Sequence, residues 1–567
     1  MRSTFHKLVP ALWLAAGFAA GCATDHTADE PPVDYFVPDH VLEVEVTLAP
    51  EDWDALRDES RDFFTTLGGA DCLDAPFGSP FTYFEATVTV DGETRERVGV
   101  RKKGFLGSLS SDKPSLKIKM DEFVVGQELF GTERITLNNA LQDPSYVNQC
   151  MGYDLFARAG VAAPRCNFAH VTVNGVDLGI YVHVQDVKKR FLREHFADDE
   201  GFLYEGTLSD FRSSWMGTFE QKTNRDAPSD RSDILAVVAA LDPAAPPGAL
   251  GAVVDLDDFT NMWATEVLVG HWDGYASNTN NFFIYGDPTD GRFHFVPWGI
   301  DNILSDQGGF DVAGGAPPVR TTGVLADHLW ATAEGRAAYE ARLRELLDTV
   351  WDETALIAEI DRMEALIRPY FQPRDRERGF DEAIALRRDF IRDRRAGLLA
   401  GLERTYVAPP LRDTFCFVPI GDVSGTFDTT YGSLGTLDPF GGANPATLDA
   451  TVEGVPLSFT NVGGLSGQDE EDPSRGTVGI FALRADGMLN VVVFQVAREA
   501  LRPGMTVALD FRNAAGFVLE LDPRVMDAEP TIVGLIANGT VSFSDAAPNL
   551  GDPVVGSFSG QLFESFF

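Results

Sequence analysis

The chain has 567 residues, of which 44% are hydrophobic and 11% aromatic, which is the composition of a folded protein and not of a disordered polymer. Its length exceeds what one compact domain usually holds, so we expect two or three domains. Acidic residues outnumber basic ones by 86 to 46, giving a formal net charge of −40. Because a field of this sign repels nucleic acids and anionic lipid surfaces, we expect no nucleic-acid partner.

The N-terminus has the pattern of an export signal. A positively charged start precedes an apolar run, residues 8–21, that is too short to span a bilayer comfortably. The run ends in "AAGC", which resembles a lipobox whose Cys22 would be lipidated and become the new N-terminus. We expect a lipoprotein signal peptide over 1–22 and a polar tether over 23–38. A plain secretory signal with an incidental cysteine is the alternative.

An export signal of this kind sets the expected location. The protein would be exported and held at the cell envelope, periplasmic or on the cell surface, with the membrane contacted through the lipid anchor alone. Four cysteines then remain: Cys72, Cys150, Cys166 and Cys416. An oxidising compartment permits two disulfides among them, and the sequence leaves all three pairings open.

The first half of the chain alternates between strands and short helices. Period-two alternation with Asp-Gly and Asn-Gly turns predicts strands and hairpins at the start of 40–59 and at 82–104, 114–123 and 168–186. Helical patterns are predicted at the end of 40–59, at 144–160 and at 187–196. In the third of these strands Lys117 and Lys119 share one face, and apolar residues occupy the other.

The second half begins with helices and ends with strands. Helices are predicted at 229–240, 255–272, 334–370 and 380–404, with a hairpin at 281–301. After "VAPPL" (407–411) the chain is rich in Gly, Thr and Asp and has short alternating runs. We therefore expect an α+β protein with a cleft between a β-rich part and a helical part, followed by an all-β, β-sandwich-like domain over 406–567.

The stretch "HWDGYASN" (271–278) has the spacing His-x-Asp, then four residues, then Asn, which is the spacing of a protein-kinase catalytic loop. Phosphoryl transfer needs a carboxylate near the acceptor hydroxyl and oxygen ligands for a metal ion. Asp273 is the candidate carboxylate, and Asn278 with Asp301 are the candidate metal ligands. The alternative is a turn rich in side-chain caps.

Residues 95–119 form the one concentrated basic region of this acidic chain, with eight basic residues against two acidic ones. Among them, Arg101, Lys103, Lys117 and Lys119 flank the small-residue stretch "GFLGSLSS" (104–111). Two strands with such a loop between them could hold a phosphate. The alternative is a solvated strand face on which lysines protect an edge.

Several motifs, in the same order along the chain, carry a resemblance to a known family. They are "VGVRKKGFLGSLSSDKPSLKIKMDEF" (98–123), "RITLNNALQDPSYV" (134–147), "VNGVDLGIYVHVQDV" (173–187), "NTNNFFIYGDPTDGRFHFVPWGID" (278–301) and "DFIRDRRAGLLAGL" (389–402). Together they resemble the CotH kinase family, secreted or surface proteins named after spore coat protein H. The resemblance covers roughly residues 40–405.

The resemblance implies an atypical protein-kinase-like fold over 39–405, with a β-rich N-lobe and a helical C-lobe. It implies a kinase that uses ATP and Mg²⁺ (or Mn²⁺) to phosphorylate Ser or Thr of other proteins, which here would be Ser/Thr-rich surface or coat proteins. By matched position Asp273 would be catalytic, and Asn278 and Asp301 would bind the metal. The lysines of "SLKIKM", Lys117 and Lys119, together with Lys103, would bind the phosphates of ATP.

Two positions depart from the family pattern. The family usually has "PWDLD" where this chain has "PWGID", so Gly299 replaces the first Asp. Gln185 stands where a Glu is common, and Asp186 would point to the opposite strand face if the alternation continued. These departures favour an alternative function, a catalytically impaired pseudokinase acting as a surface scaffold. A secreted hydrolase with paired carboxylates is a third hypothesis, but no spacing singles out a pair.

Overall fold

The computed structural model describes residues 34–305, 317–371, 373, 379–436, 438–469, 472–510, 513–525 and 530–564. Within them the chain mixes helices and strands, as the sequence predicted. The candidate signal peptide, including Cys22, lies outside the described residues. In the described parts, no helix has both the length and the apolar character that crossing a bilayer requires.

Seven strands near the start of the chain close into a barrel, in the order β1-β2-β3-β4-β5-β7-β6. Their bounds are β1 Val41–Thr47, β2 Phe84–Val90, β3 Glu93–Lys103, β4 Ser115–Lys119, β5 Arg134–Asn138, β6 Cys166–Val173 and β7 Val176–Val184. Neighbours are antiparallel except β1 and β6, whose parallel pairing closes the ring.

The alternation of side chains explains how the barrel presents its charges. In β4, Leu116 and Ile118 are fully buried in the apolar interior, and Lys117 and Lys119 between and after them are partly exposed. Strand period two therefore places the lysines on the outer face, as the sequence predicted. The hydrophobic positions anchor the strand, and the charged positions are left to face the rest of the protein.

The chain after the barrel contributes a small antiparallel sheet, in the order β11-β10-β8-β9, and most of the helices. The strands are β8 Leu203–Gly206, β9 Glu220–Gln221, β10 Phe282–Asp287 and β11 Arg292–Pro297. The described helices are α1 Pro50–Asp58, α2 Phe63–Leu67, α3 Asn148–Arg158, α4 Lys189–His195, α5 Ser232–Ala240, α6 Leu256–Val269, α7 Tyr275–Asn278, α8 Val324–Ala331, α9 Ala333–Thr349, α10 Glu353–Ile367 and α11 Phe380–Leu402. Residues of α3, α6, α9 and α11 share one large apolar core.

Beyond residue 418 the described strands form one ten-stranded sheet, in the order β14-β13-β12-β21-β20-β18-β19-β17-β16-β15. They are β12 Pro419–Thr430, β13 Ala446–Val452, β14 Val455–Pro456, β15 Phe459–Gln468, β16 Arg475–Arg484, β17 Leu489–Ala497, β18 Thr506–Leu509, β19 Ala514–Leu521, β20 Thr531–Ala546 and β21 Pro553–Glu564. Isolated bridges, such as Tyr431 with Ser466, bring its two ends together, so the sheet curls. That 406–567 is a domain of its own stays a prediction.

Two disulfides are present among the described residues. Cys150 pairs with Cys166, and Cys72 pairs with Cys416, 344 positions away. The second bridge fastens residues 405–418, which we call the connecting segment because it leads from α11 to the ten-stranded sheet. The connecting segment also pairs its Phe417 backbone with the region just after α2. Of the three possible pairings of the four cysteines, the structure has Cys72 with Cys416 and Cys150 with Cys166.

Candidate active site

A cleft of about 1950 Å³ is lined by residues of the barrel, of the small sheet and of the connecting segment. Its lining includes the residues that the sequence singled out for phosphate binding, metal binding and catalysis: Arg101, Lys103, Lys117, Lys119, Asp273, Asn278 and Asp301. They come from β3, from β4, from the loop around α7 and from the turn after β11. The fold therefore gathers residues from distant parts of the sequence at one concave surface, which is where ligands usually bind.

The loop that carries Asp273 is hydrogen-bonded to a buried carboxylate. Glu266, near the end of α6, is fully buried and accepts hydrogen bonds from the backbone N–H groups of Tyr275 and Ala276, both at 2.9 Å. Burial raises the pKa of Glu266 to about 7, although these two N–H groups act in the opposite direction. A loop tied to a core helix in this way has a fixed conformation.

Three side-chain amides fix the Asp273 carboxylate itself. Its Oδ1 accepts from Asn278 Nδ2 at 2.6 Å and from Asn280 Nδ2 at 3.1 Å, and its Oδ2 accepts from Asn281 Nδ2 at 2.7 Å. Burial raises the pKa of Asp273, and the three amides partly offset this increase. The carboxylate is therefore oriented before any substrate binds, which general acid–base catalysis requires.

Asp301 lies in the cleft among other charged groups. Burial raises its pKa to about 7; the nearby Lys103 charge lowers it, and two nearby carboxylates, Asp273 among them, raise it further. The side chain of Asn148, at the start of α3, donates to the Asp301 backbone carbonyl at 2.7 Å. The peptide of Asp301 is thus tied to the helical core.

Lys103 is the last residue of β3, and its side chain lines the cleft. Its Nζ donates to Asn138 Oδ1 on β5. Burial first, and then the neighbouring ammonium group of Lys117, lower the pKa of Lys103 to about 8, while Asp301 raises it. A positive charge held in a partly desolvated position is well suited to binding an anion, because the attraction there is screened less than in water.

Lys117 is the second buried cation of the cleft. Its Nζ lies 2.9 Å from Asp186 Oδ1, and both side chains are mostly buried. Burial would raise the pKa of Asp186, but the charges of Lys117, Lys188 and Arg134 outweigh it and hold that pKa well below its usual range. Asp186 therefore fixes the position of the Lys117 ammonium group.

Arg101 and Lys119 line the same cleft and have partners in the segments just before β2 and just after β4. Arg101 donates to Ser79 Oγ at 3.0 Å, and Lys119 Nζ lies 2.8 Å from Glu122 Oε2. Both side chains are partly exposed. They add positive charge to the cleft without being as deeply placed as Lys103.

The residues present fit a hard divalent cation. Asn278 and Asp301 offer only oxygen atoms, which Mg²⁺ and Mn²⁺ prefer as ligands. The raised pKa of Asp301 marks a carboxylate whose neighbours include other carboxylates, and a cation would offset that repulsion. A different cluster of metal-ligand types, Asp255, Asp290 and His294, lies outside the cleft lining. There Arg292 already pairs with both carboxylates, at 3.0 and 3.1 Å, which leaves less need for a metal.

The profile of a family described as CotH kinase protein matches residues 100–398, more than half of the chain. The chain belongs to the CotH kinase family. It is similar to Inner spore coat protein H of Bacillus subtilis (strain 168), with 23% identity over 283 residues that cover 47% of this chain and 77% of that protein. A crystal structure of a Helicobacter pylori proinflammatory kinase, CtkA, matches 54% of this chain and 96% of its own, with 10% identity and a TM-score of 0.27.

The first departure from the CotH family pattern, Gly299, has a structural reason. Its φ of 55° lies in the left-handed region, where side chains are disfavoured. A Cβ at this position would lie 2.4 Å from Oδ1 of Asn281, the residue that holds Asp273. A side chain at position 299 would therefore meet Asn281 in the loop that carries Asp273; both Gly299 and Asp301 line the cleft, and of the two only Asp301 offers a carboxylate.

The second departure, Gln185, also lines the cleft, and its described hydrogen bonds go to residues other than the cleft lysines. Its Oε1 accepts from the Arg165 backbone N–H at 3.0 Å, and its Nε2 donates to Glu194 at 2.6 Å. The expectation that Asp186 points to the opposite strand face depended on continued strand alternation, and that condition is not met because β7 ends at Val184. Asp186 supplies the carboxylate partner of a cleft lysine in this CotH family member.

Sequence reasoning missed further cleft residues. Lys188 is buried and donates to the Lys222 carbonyl at 2.9 Å; burial lowers its pKa to about 7. Lys222 pairs with Glu205 on β8 and lies 3.0 Å from Glu220 on β9. No local spacing marks these residues, since they meet only when β8 and β9 pair. The adjacent basic pair in "DVKKR" (186–190) was the one available signal.

Proposed function

We propose that this protein is an exported protein kinase that uses ATP and a divalent metal ion, Mg²⁺ or Mn²⁺, to phosphorylate Ser or Thr. The observation that carries the proposal is the meeting of Asp273, Asn278, Asp301 and Lys103 in one cleft. We further propose that the seven-stranded barrel is the N-lobe and the helical region the C-lobe of an atypical kinase fold. Family membership supports kinase-like function and ATP use.

In the proposed mechanism Lys103 and Lys117 bind phosphate oxygens of the nucleotide, and the Asp186 carboxylate keeps Lys117 in place. Asn278 and Asp301 would hold the metal ion, which when bound neutralises negative charge on the phosphates. Most of the catalytic effect in phosphoryl transfer comes from such positioning and charge stabilisation. The chain supplies it through side chains whose partners are already fixed.

Asp273 acts on the acceptor. Its carboxylate, oriented by three amides, accepts a hydrogen bond from the Ser or Thr hydroxyl and takes its proton as the oxygen bonds to the terminal phosphorus; the bond from that phosphorus to the bridging oxygen breaks, and ADP leaves. Partial burial raises the pKa of Asp273, which improves a carboxylate as a proton acceptor. The geometry of the loop supports this role.

We propose that the acceptor is a Ser/Thr-rich surface or coat protein and that the chain reaches the cell envelope through a lipid on Cys22. Two disulfides among the described cysteines support an oxidising compartment. The net charge of −40 supports a protein acceptor over a nucleic acid.

Asp273→Asn tests the proposal. Incubating the full chain with labelled ATP and Mg²⁺ or Mn²⁺ should label either the protein itself or a Ser-rich acceptor. Asp273→Asn should abolish the label, since an amide cannot take the proton. Because the NH2 group of the new amide would face at least one of the three amide donors, a thermal melt checks that the variant remains folded. The control is Asp257→Asn, an exposed position outside the cleft. Equal labelling by Asp273→Asn and the unaltered chain would remove Asp273 from the mechanism.

The alternative, a pseudokinase that acts as a surface scaffold, rests on Gly299 and Gln185. Both residues line the cleft, but each has a structural role of its own: an added Cβ at Gly299 would meet Asn281, and Gln185 is hydrogen-bonded to Arg165 and Glu194. The labelling experiment decides between the two functions. Nucleotide binding without any transfer to protein would establish the scaffold.

A further inference from the structure

The connecting segment brings an arginine into the cleft from outside the region that matches the CotH family. Arg412 follows α11, and the family match ends at residue 398. Its guanidinium lines the cleft, where Nη1 donates to Asn278 Oδ1 at 3.0 Å. A positive charge from the connecting segment therefore reaches the candidate metal ligand Asn278.

The backbone around Arg412 is fastened on both sides. Arg212 donates to the Arg412 carbonyl, and the Trp215 indole N–H donates to the Asp413 carbonyl at 3.1 Å. Arg212 in turn pairs with the buried Asp210 at 2.8 Å, and Asp210 accepts from the Tyr275 hydroxyl of α7. One polar network thus ties the connecting segment to the catalytic loop.

The following residues fix the segment more firmly. The Phe417 N–H donates to the Leu67 carbonyl at 2.7 Å, and Cys416 is bonded to Cys72. The Arg412 guanidinium also lies over the Phe415 ring, at 4.6 Å from its centroid. With its backbone fixed, Arg412 can move only by changing side-chain rotamer, so its charge stays close to the cleft.

A metal ion bound at Asn278 Oδ1 would displace the Arg412 guanidinium from that oxygen. Both groups are positively charged, so they would repel each other if they shared the same oxygen. Asn278 Nδ2 also lies 2.6 Å from Oδ1 of Asp273, the proposed acceptor of the substrate proton. In the proposed mechanism the transferred phosphoryl group would approach Asp273, and hence Asn278, because Asp273 takes the proton of the attacking hydroxyl. Guanidinium binds phosphate oxygens in a paired geometry.

We propose that Arg412 is a further phosphate-binding residue of this site and that it contacts the terminal phosphoryl group of the nucleotide. The proposal rests on the proposed kinase function. It assigns to the connecting segment a part of the site that the family region does not contain. When the metal occupies Asn278, the guanidinium turns from the amide oxygen to the adjacent phosphate.

Nucleotide binding to the full chain tests this assignment. Titration calorimetry with Mg²⁺ compares a non-hydrolysable ATP analogue with ADP, which lacks the terminal phosphoryl group. Arg412→Ala should weaken binding of the ATP analogue roughly tenfold or more and leave ADP binding within about twofold. Arg412→Lys should restore part of the loss. Arg404→Ala, at an exposed position outside the cleft lining, is the matched control and should change neither affinity.

The remaining outcomes separate the two proposals. If the unaltered chain binds neither nucleotide, the proposed function and this inference are both wrong. If it binds both and Arg412→Ala affects them equally, or not at all, only the inference is wrong. Tighter binding of both nucleotides by Arg412→Ala would show that the guanidinium blocks the metal site, which also overturns the inference.

Discussion

Lys103 makes the cleft sensitive to pH. Burial and the charges of Lys117 and Arg101 lower its pKa to about 8, while Asp301 and Glu205 raise it. The charged form, which is the form proposed to bind phosphate, is present below that pKa and is lost as the pH rises through it. We therefore expect the affinity for Mg²⁺–ATP to fall by up to about tenfold between pH 7 and pH 9. Calorimetric titrations across this range measure the change.

Lys103→Arg is the control for this prediction. An arginine keeps its charge throughout the range, so the variant should show a nearly flat affinity profile even if its absolute affinity differs. A profile that falls equally steeply in the variant would assign the pH dependence to another group, and Lys188, with a pKa lowered to about 7, would be the next candidate.

Part of the candidate site was predictable because some of its residues lie close together in the sequence. Asp273 and Asn278 lie within one loop, and Lys117 and Lys119 within one strand, so local pattern was enough to find them. The partners of these residues were not predictable. Asp186 meets Lys117 only because β5 pairs with β7, and the approach of Arg412 depends on the path of the connecting segment. Neither leaves a periodic signal in the sequence.

At the scale of elements, α11 supports the site through one buried arginine. Arg387 donates to Asn148 Oδ1 at 2.9 Å and lies 3.7 Å from the buried Asp143 carboxylate. Burial raises the pKa of Asp143, and the Arg387 charge lowers it. Since Asn148 in turn donates to the Asp301 carbonyl, this contact links a helix of the core to the cleft.

Arg387→Met should therefore destabilise the fold. Removing the charge leaves the Asp143 carboxylate buried without its counter-ion, which costs about 3–5 kcal/mol in the free energy of unfolding. Urea denaturation measures the loss. The neighbouring Arg388→Met is the control, because Arg388 pairs with partly exposed Asp361 and Glu364 and such pairs contribute at most about 1 kcal/mol. Similar losses in both variants would contradict the role given to Arg387.

Elements whose signal is local were predicted well. The hairpins of β2 with β3, β6 with β7 and β10 with β11 turn where Asp-Gly and Asn-Gly turn signals stand. Burial alternates in β2, whereas β7 and β10 are buried along most of their length. The closure of the barrel was not predictable. It depends on parallel pairing of Val41 with Phe168 and the residues that follow, and partners so far apart are chosen by the whole core.

At the scale of the molecule, the Cys72–Cys416 bridge joins the region before β2 to the connecting segment. A cross-link over a long loop restricts the unfolded chain more than one over a short loop. Replacing both cysteines by serine should cost about 2–5 kcal/mol and lower the melting temperature.

The matched control is the pair Cys150→Ser with Cys166→Ser, which opens a bridge over a separation of 16 positions. It should lower the melting temperature less. An equal or larger decrease would show that local packing at Cys150 outweighs loop length. Thermal melts of both double variants, recorded without reductant, make the comparison.

The same bridge has a consequence for proteolysis. A protease that cuts one peptide bond anywhere between positions 72 and 416 yields two fragments that stay covalently joined, because each retains one of the two cysteines. A nicked molecule would migrate as intact protein on a non-reducing gel and separate only after a thiol is added. Whatever holds the N-terminus in place would still retain the ten-stranded sheet after such a cut.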